Sequence, residues 1–401
     1  MSPSAKRLIG LVTLWQIAAS VSYYAIFAAT PFFRSEFGVS RFLVGLIVTA
    51  LSLGYAVSLL PVGVATDRFG ERRTLTVGLV GLALGSIGVA LSWSYWSLLV
   101  AVFLVGILYG TAMPGTNKAI FDRIADTHRN LAMGIKQVGV TAGSGLSALL
   151  VTGIAGVLVW DAGFYVAGIA AAIVAALFWT LYPAADGDNE ATMPSFRALS
   201  QNRPYLLLVA AGFFVGAVIF TTTAYTVLYV EESLGASVAT GGVILALVQV
   251  TASVGRIVFG WICDRLPGMQ HRRTAAVLLI QTLVGAGLLV VVARVNSLLG
   301  ATLAFGALGA FALGNTGVYY SCLGSLVGPD EIGAATGGGQ LAITTGGLVV
   351  PPVFGLAVDT VGYWAGWSLL AGSGVCAVAL IWFVYRTPAV VANRTDAAYH
   401  S

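Results

Sequence analysis

Two cations stand in stretches of this chain that otherwise avoid charge. Arg256 lies in VGRIVFGWICDR, eight residues before Asp264, and Lys136 lies in MGIKQVGVTAGSGLSA. At about 1.5 Å per helical residue, Arg256 sits about 12 Å in from the end marked by Asp264. A charge held at such depth among apolar residues is costly and marks a functional site by default. Arginine keeps its proton, and its planar fork of donors fits a carboxylate or similar oxyanion. Lys136 is followed by Gln137 and then by Gly139, Gly143 and Gly145, small residues that let a helix pack closely and leave room beside it. The alternatives are an arginine packed at a gate near Asp264 and a lysine reaching its amine to the membrane interface. A third cation, Lys118, precedes Asp122 by one helical turn, and an intrahelical ion pair accounts for it.

No carboxylate is placed to answer these charges. The sixteen Asp and Glu residues all fall near or beyond the ends of the apolar runs. A carrier that ejects cations, or one that couples to protons through a buried carboxylate, needs an acid at depth, so the cargo is expected to bring the negative charge. Polar and aromatic residues expected on the same cavity complete the candidate substrate site: Tyr24, Tyr225, Gln249 two turns from Arg256, Asn315 and Tyr319 one turn apart, and the pair Gln137 and Gln340. Together they suit a small polar ligand. Cys263, Cys322 and Cys376 have no metal-binding spacing, and His128, His271 and His400 fall in loops or the tail. No cofactor, metal or catalytic cluster is expected, and the chain does not read as an enzyme.

The elements that must hold these residues follow from composition. Of the 401 residues 58% are hydrophobic and 9% charged, against about 25% charged in soluble domains. Apolar runs repeatedly reach the ~20 residues needed to cross a bilayer as helix. Twelve spans are read, the first as a retained span rather than a cleaved leader. The class is an all-α membrane protein. A polar stretch over 183–204 reads as a cytoplasmic linker between six-helix bundles at 1–182 and 205–401. Fourteen of the twenty Lys and Arg residues fall on the N-terminal side of the membrane, and three, Arg34, Arg41 and Arg294, on the other. This bias places both termini in the cytoplasm of a multi-pass cell-membrane protein. It also explains the net charge of +4 without nucleic acid.

The halves repeat. SEFGVS (Ser35–Ser40) returns 197 residues later as ESLGAS (Glu232–Ser237), and Asp67-Arg68 returns as Asp264-Arg265. Further on the offset becomes 203, aligning MGIKQ with TGGGQ. Two six-helix halves in the same orientation suit a transporter. At those offsets Arg256 aligns with Leu59 and Lys136 with Gly339, so neither cation belongs to the shared scaffold.

The charged turn GVATDRFGERRT carries a resemblance. Gly63, Asp67, Arg68, Gly70, Arg72 and Arg73 resemble the signature loop between helices 2 and 3 of the major facilitator superfamily. Gly260, Asp264, Arg265, Arg272 and Arg273 resemble its degenerate copy between helices 8 and 9, with Pro267 where the first has Gly70. The resemblance spans the chain and implies a fold of two pseudo-symmetric six-helix bundles. It further implies that Asp67 meets the start of helix 11 and Asp264 the start of helix 5. Helix starts carry free N–H groups and partial positive charge. These contacts are expected to latch the cytoplasmic side when the cavity opens outward and to break when it opens inward. Gly63 and Gly260 are expected to allow close helix approach there.

Around Arg256 the chain looks like the oxalate/formate and monocarboxylate branches, in which an Arg at this place binds the substrate carboxylate. The expectation is a secondary transporter moving a small organic anion by alternating access, as a monomer in the lipid bilayer. The alternatives are a nitrate/nitrite-type carrier, a neutral-solute carrier and a lipophilic-drug exporter. The first is disfavoured because span 2 holds no second Arg. A receptor without transport activity has least support.

Overall fold

The computed structural model describes residues 3–155, 158–183, 199–328 and 331–387. Twelve helices are long and apolar enough to cross a membrane: α1 (Pro3–Ala28), α2 (Arg41–Phe69), α3 (Glu71–Ala90), α4 (Tyr95–Arg123), α5 (Leu131–Ala155), α6 (Ala162–Leu181), α7 (Arg203–Leu234), α8 (Val238–Arg265), α9 (Gln270–Val292), α10 (Leu298–Gly324), α11 (Ile332–Thr360) and α12 (Tyr363–Arg386). No strand occurs among the described residues. Helices satisfy their own backbone polar groups, which lipid cannot do. Large apolar side chains such as Val77, Leu84, Ile173 and Ile280 remain exposed on the outer helices. In a bilayer these side chains meet lipid. Most of the expected 183–204 linker lies outside the described residues.

Packing follows the sequence repeat. In the first six helices α1 packs on α5, α2 on α4 and α3 on α6; in the last six α7 packs on α11, α8 on α10 and α9 on α12. The seam between the two sets is made by α2 against α11 and α5 against α8. Hereafter the near end is the one where α1 begins and α12 ends, and the far end is the opposite one.

The repeated SEFGVS/ESLGAS motif forms the same far-end turn twice. Gly38 (φ +60°) stops the short helix Thr30–Phe37 that follows α1, and Gly235 (φ +63°) stops α7. These are left-handed conformations that favour glycine. Two residues on, Ser40 accepts from Leu43 N at 3.3 Å and Ser237 accepts from Thr240 N at 3.1 Å, capping α2 and α8. The near-end turns differ. Gly70 alone links α2 to α3 at φ +80°; in the second half Leu266 to Met269 intervene, and Gly268 takes the positive φ, +106°, that Pro267 cannot adopt.

Two helices break at mid-depth. The α-helix of α4 is interrupted at Gly110 and Thr111, and α10 contains a π-helical segment over Gly309–Leu313. Such segments widen a helix by one residue and recur at functional sites. Here the widened turn lies against α8 at Gly255, where a Cβ would collide with the Ala310 carbonyl oxygen.

Candidate functional site

Arg256 is carried by α8 one residue beyond Gly255, so its side chain leaves the helix beside the π segment. Its Nη2 lies 3.5 Å from the Leu313 carbonyl oxygen, a long contact. Its Nε is buried without a partner among the described residues. The phenols of Tyr24 on α1, Tyr320 on α10 and Tyr109 on α4 lie within electrostatic reach of the guanidinium. No ion pair among the described residues includes it. A half-buried guanidinium with a shielded, idle Nε and no carboxylate is a poor structural element.

Lys136 is 4% exposed, and its Nζ donates to Asn117 Oδ1 on α4 at 2.8 Å. It therefore does not reach out to the interface. The amide satisfies one donor and leaves the charge intact. Gln340 on α11 accepts from the Tyr320 hydroxyl at 2.5 Å and donates to Thr344 Oγ1 at 3.2 Å. Gln249 is buried in the α5–α8 seam, its Cβ 3.8 Å from where a Cβ on Gly145 would stand. Gln137, eight residues before Gly145, is exposed.

Three expected site residues are placed elsewhere. Tyr319 is fully buried inside the second bundle, its hydroxyl crowded by Gly212 and near Gly339, and that hydroxyl has no partner among the described residues. Asn315, one turn earlier on the same face, lines a small gap beside Thr282 and Gly285 in the same bundle. The face of α10 that meets Arg256 is instead Leu313–Gly317–Tyr320. Two adjacent tyrosines in one helix point about 100° apart, and the sequence does not say which faces the cleft. Tyr225 lies at the far end, donating to the Arg41 carbonyl at 2.6 Å and to the Pro351 carbonyl at 3.0 Å. It seals the seam there. Asn117 and Tyr320 were not anticipated; Asn117 was hidden because its partner Lys136 is 19 residues away on another helix.

The far end is closed. A Cβ on Gly45 of α2 would overlap the Pro351–Pro352 backbone of α11, and Thr49 Oγ1 donates to Leu348 O at 2.6 Å. Asp359 of α11 accepts from the Arg41 and Phe42 backbone N–H groups at 3.2 and 2.9 Å, and from Arg41 Nη1 at 3.1 Å. With Ser40 taking Leu43, the first three orphan N–H groups of α2 are satisfied, two of them by the other half. Glu232 binds Arg34 and Arg41 at 2.7 Å each and accepts from the Tyr363 hydroxyl at 2.7 Å.

The near end is open. A Cβ added at Gly63, Gly260, Gly134, Gly333 or Gly337 would meet nothing within 4 Å. The close approach expected at Gly63 and Gly260 is thus not made in this conformation. Among the described residues Asp67 pairs only with Lys118, at 3.6 Å, while Lys118 also makes the expected pair with Asp122 at 3.0 Å. Asp264 has no hydrogen bond or ion pair among the described residues. The signature cations stay in their own half: Arg72 stacks on Trp179 at 4.3 Å and binds its carbonyl, Arg68 lies over Phe69, and Arg265 lies 3.8 Å over Trp261. Glu71, unremarked in the sequence, is buried and accepts from Arg123 Nε at 2.8 Å and from the Tyr182 hydroxyl at 3.1 Å.

Twelve spanning helices in two matching sets, sealed at one end and parted at the other around partnerless polar groups, define a solute-transport protein of the membrane. The sequence profile of the Major Facilitator Superfamily matches residues 12–337, and the chain belongs to that family. It is 26% identical over 388 residues to the hexuronate transporter of Bacillus subtilis, covering 92% of each chain. It is 29% identical to the 3-(3-hydroxy-phenyl)propionate transporter of Escherichia coli, covering 93% of this chain and 94% of that one. Among solved structures it resembles a bacterial homolog of the human lysosomal transporter Spinster, in an inward-facing and occupied conformation. The TM-score is 0.81 at 16% identity, over 97% of this chain and 98% of that one.

Proposed function

We propose that this protein moves a small organic anion across the cell membrane by alternating access, with its near end facing the cytoplasm and Arg256 holding the anionic group. One observation carries the reading: a half-buried guanidinium with an idle Nε, no carboxylate partner among the described residues and a position toward the end of the molecule that is open. Hexuronate and 3-(3-hydroxyphenyl)propionate, the solutes named for two relatives, are both carboxylates. Lys136, held by the neutral Asn117, adds positive potential without a fixed counter-ion. The excess of Lys and Arg at the near end supports the cytoplasmic orientation.

Uptake into proteoliposomes tests the reading. Flux of a labelled carboxylate is expected, inhibited by other carboxylates and indifferent to glucose and nitrate. Flux of nitrate or of a neutral solute, with none for any carboxylate, overturns it.

The opposite conformation needs the near end sealed. Asp67 and Asp264 would then cap the starts of α11 and α5, as Asp359 caps α2 in the present one. A cap of this kind contributes about 1 kcal/mol. Asp67→Asn and Asp264→Asn are each expected to slow turnover about fivefold while substrate affinity in the near-open conformation holds. Wild-type turnover in both variants rules the latch out.

A further inference from the structure

We infer that the transported anion is a hydroxylated aromatic monocarboxylate, its carboxylate on Arg256 and its ring against Tyr24 and Tyr320; this rests on the anion reading above. Three observations lead there. First, the two deep cations differ. Lys136 is tied to Asn117 through one donor, whereas the Arg256 Nε is shielded with no partner among the described residues, so Arg256 is the cation poised to anchor a single carboxylate.

Second, the surroundings of that anchor are aromatic rather than amide-rich. Tyr24 and Tyr320, from opposite halves, are both partly exposed; Tyr320 shares the α10 face that meets Arg256, and Tyr24 lies within electrostatic reach of the guanidinium. Each is backed by fixed rings. Tyr24 stands edge-on to Tyr23 at 5.1 Å, and Tyr23 stacks on Tyr109 at 4.1 Å and 20°. Tyr55 closes the same wall 5.7 Å from Tyr109. Tyr320 is held by Gln340 and by Tyr319 at 5.4 Å. Rings locked by their neighbours present a preorganised π surface, which favours an aromatic guest in offset or edge-on contact. A sugar acid needs donors and acceptors around its whole rim, and the amides beside these phenols, Gln340 and Gln16, are already bonded to Tyr320, Thr344, Ser20 and Tyr109.

Third, the hydroxyl of Tyr24, a partly exposed residue, has no hydrogen-bond partner among the described residues, whereas those of Tyr109 and Tyr320 are engaged. One idle phenol at the wall can donate to or accept from a ring hydroxyl on the guest.

Competition in proteoliposomes decides the matter with the wild-type protein alone. 3-Hydroxybenzoate, cis-3-hydroxycyclohexanecarboxylate and glucuronate carry the same charge; only the first has a π face. 3-Hydroxybenzoate is expected to compete about tenfold better than either, about 1.4 kcal/mol. In Tyr24→Leu its advantage over the cyclohexane acid is expected to shrink to about threefold or less, as one of two rings is lost. In Tyr24→Phe the advantage over the cyclohexane acid persists while that over plain benzoate falls. Equal competition by the saturated acid, or better competition by glucuronate, overturns the aromatic assignment. If either still depends on Arg256, the anion reading stands. If no carboxylate competes at all, both fall.

Discussion

Arg256→Gln is expected to lower carboxylate uptake about 100-fold at low substrate concentration. Hydrogen bonds to charged groups contribute about 1.5–3 kcal/mol each, and a guanidinium offers two in parallel to a carboxylate. Replacing them with one neutral amide contact removes about 2.7 kcal/mol, or two decades. The loss belongs in the apparent affinity, because the anchor acts on the bound anion before the halves move. Arg256→Lys is expected to recover only part of it, since a point charge cannot reproduce the fork. Lys136→Gln is expected to cost less than about tenfold, because its amine is already committed to Asn117 and an amide at 136 can keep that bond. Without substrate, Arg256→Gln is expected to raise the melting temperature, as a half-buried cation with a shielded, idle Nε is a liability to the empty protein. Initial-rate uptake and thermal melting check the two signs together. Wild-type affinity for every carboxylate in Arg256→Gln would place the anchor elsewhere.

Glu232→Gln is expected to shift the molecule toward opening at the far end. Glu232 joins Arg34, Arg41 and Tyr363, so one carboxylate holds the short helix after α1, α2 and α12 against α7. The side chains are 14–34% exposed, which sets their worth between the 0–1 kcal/mol of surface pairs and the 3–5 kcal/mol lost when a buried pair is broken. About 2 kcal/mol is a reasonable order, a shift of about 30-fold in the conformational equilibrium. The reporter is Thr49→Cys in a background without Cys263, Cys322 and Cys376. Position 49 sits in the closed α2–α11 seam, its hydroxyl on the Leu348 carbonyl. A membrane-impermeant thiol reagent supplied from the far side is expected to label it about 10–30-fold faster in the Glu232→Gln background. Asp359→Asn is expected to act in the same direction, because an amide cannot accept from both α2 N–H groups as the carboxylate does. Unchanged labelling in both variants removes the far-end network as a latch.

The charged near-end turns show how a sequence signal is read well and still leaves the conformation open. Their recurrence at a fixed offset identified the repeat, and the acid at each helix end identified a capping group. Which end of the molecule is capped depends on how the halves are tilted. In this structure the cap in use is Asp359 on α2, at the end where the sequence drew attention only to SEFGVS and ESLGAS. A carboxylate at a helix terminus looks the same in the chain whether or not its partner helix is near.

The twelve spans, the internal repeat with its recurring SEFGVS and ESLGAS, and the depth of Arg256 and Lys136 were all legible in the chain. They depend on local composition and on spacing along one helix, which a linear sequence records directly. Rotation about helix axes was not legible. It put Tyr320 rather than Tyr319 beside Arg256, turned Asn315 into its own bundle and sent Tyr225 to the far-end seam. The π segment of α10 and the packing of small residues between helices set those rotations, and both arise from contacts between residues far apart in the chain. Tertiary packing likewise gave Lys136 a neutral partner and left Arg256 with an idle donor, a difference between two buried cations that their sequence contexts do not express.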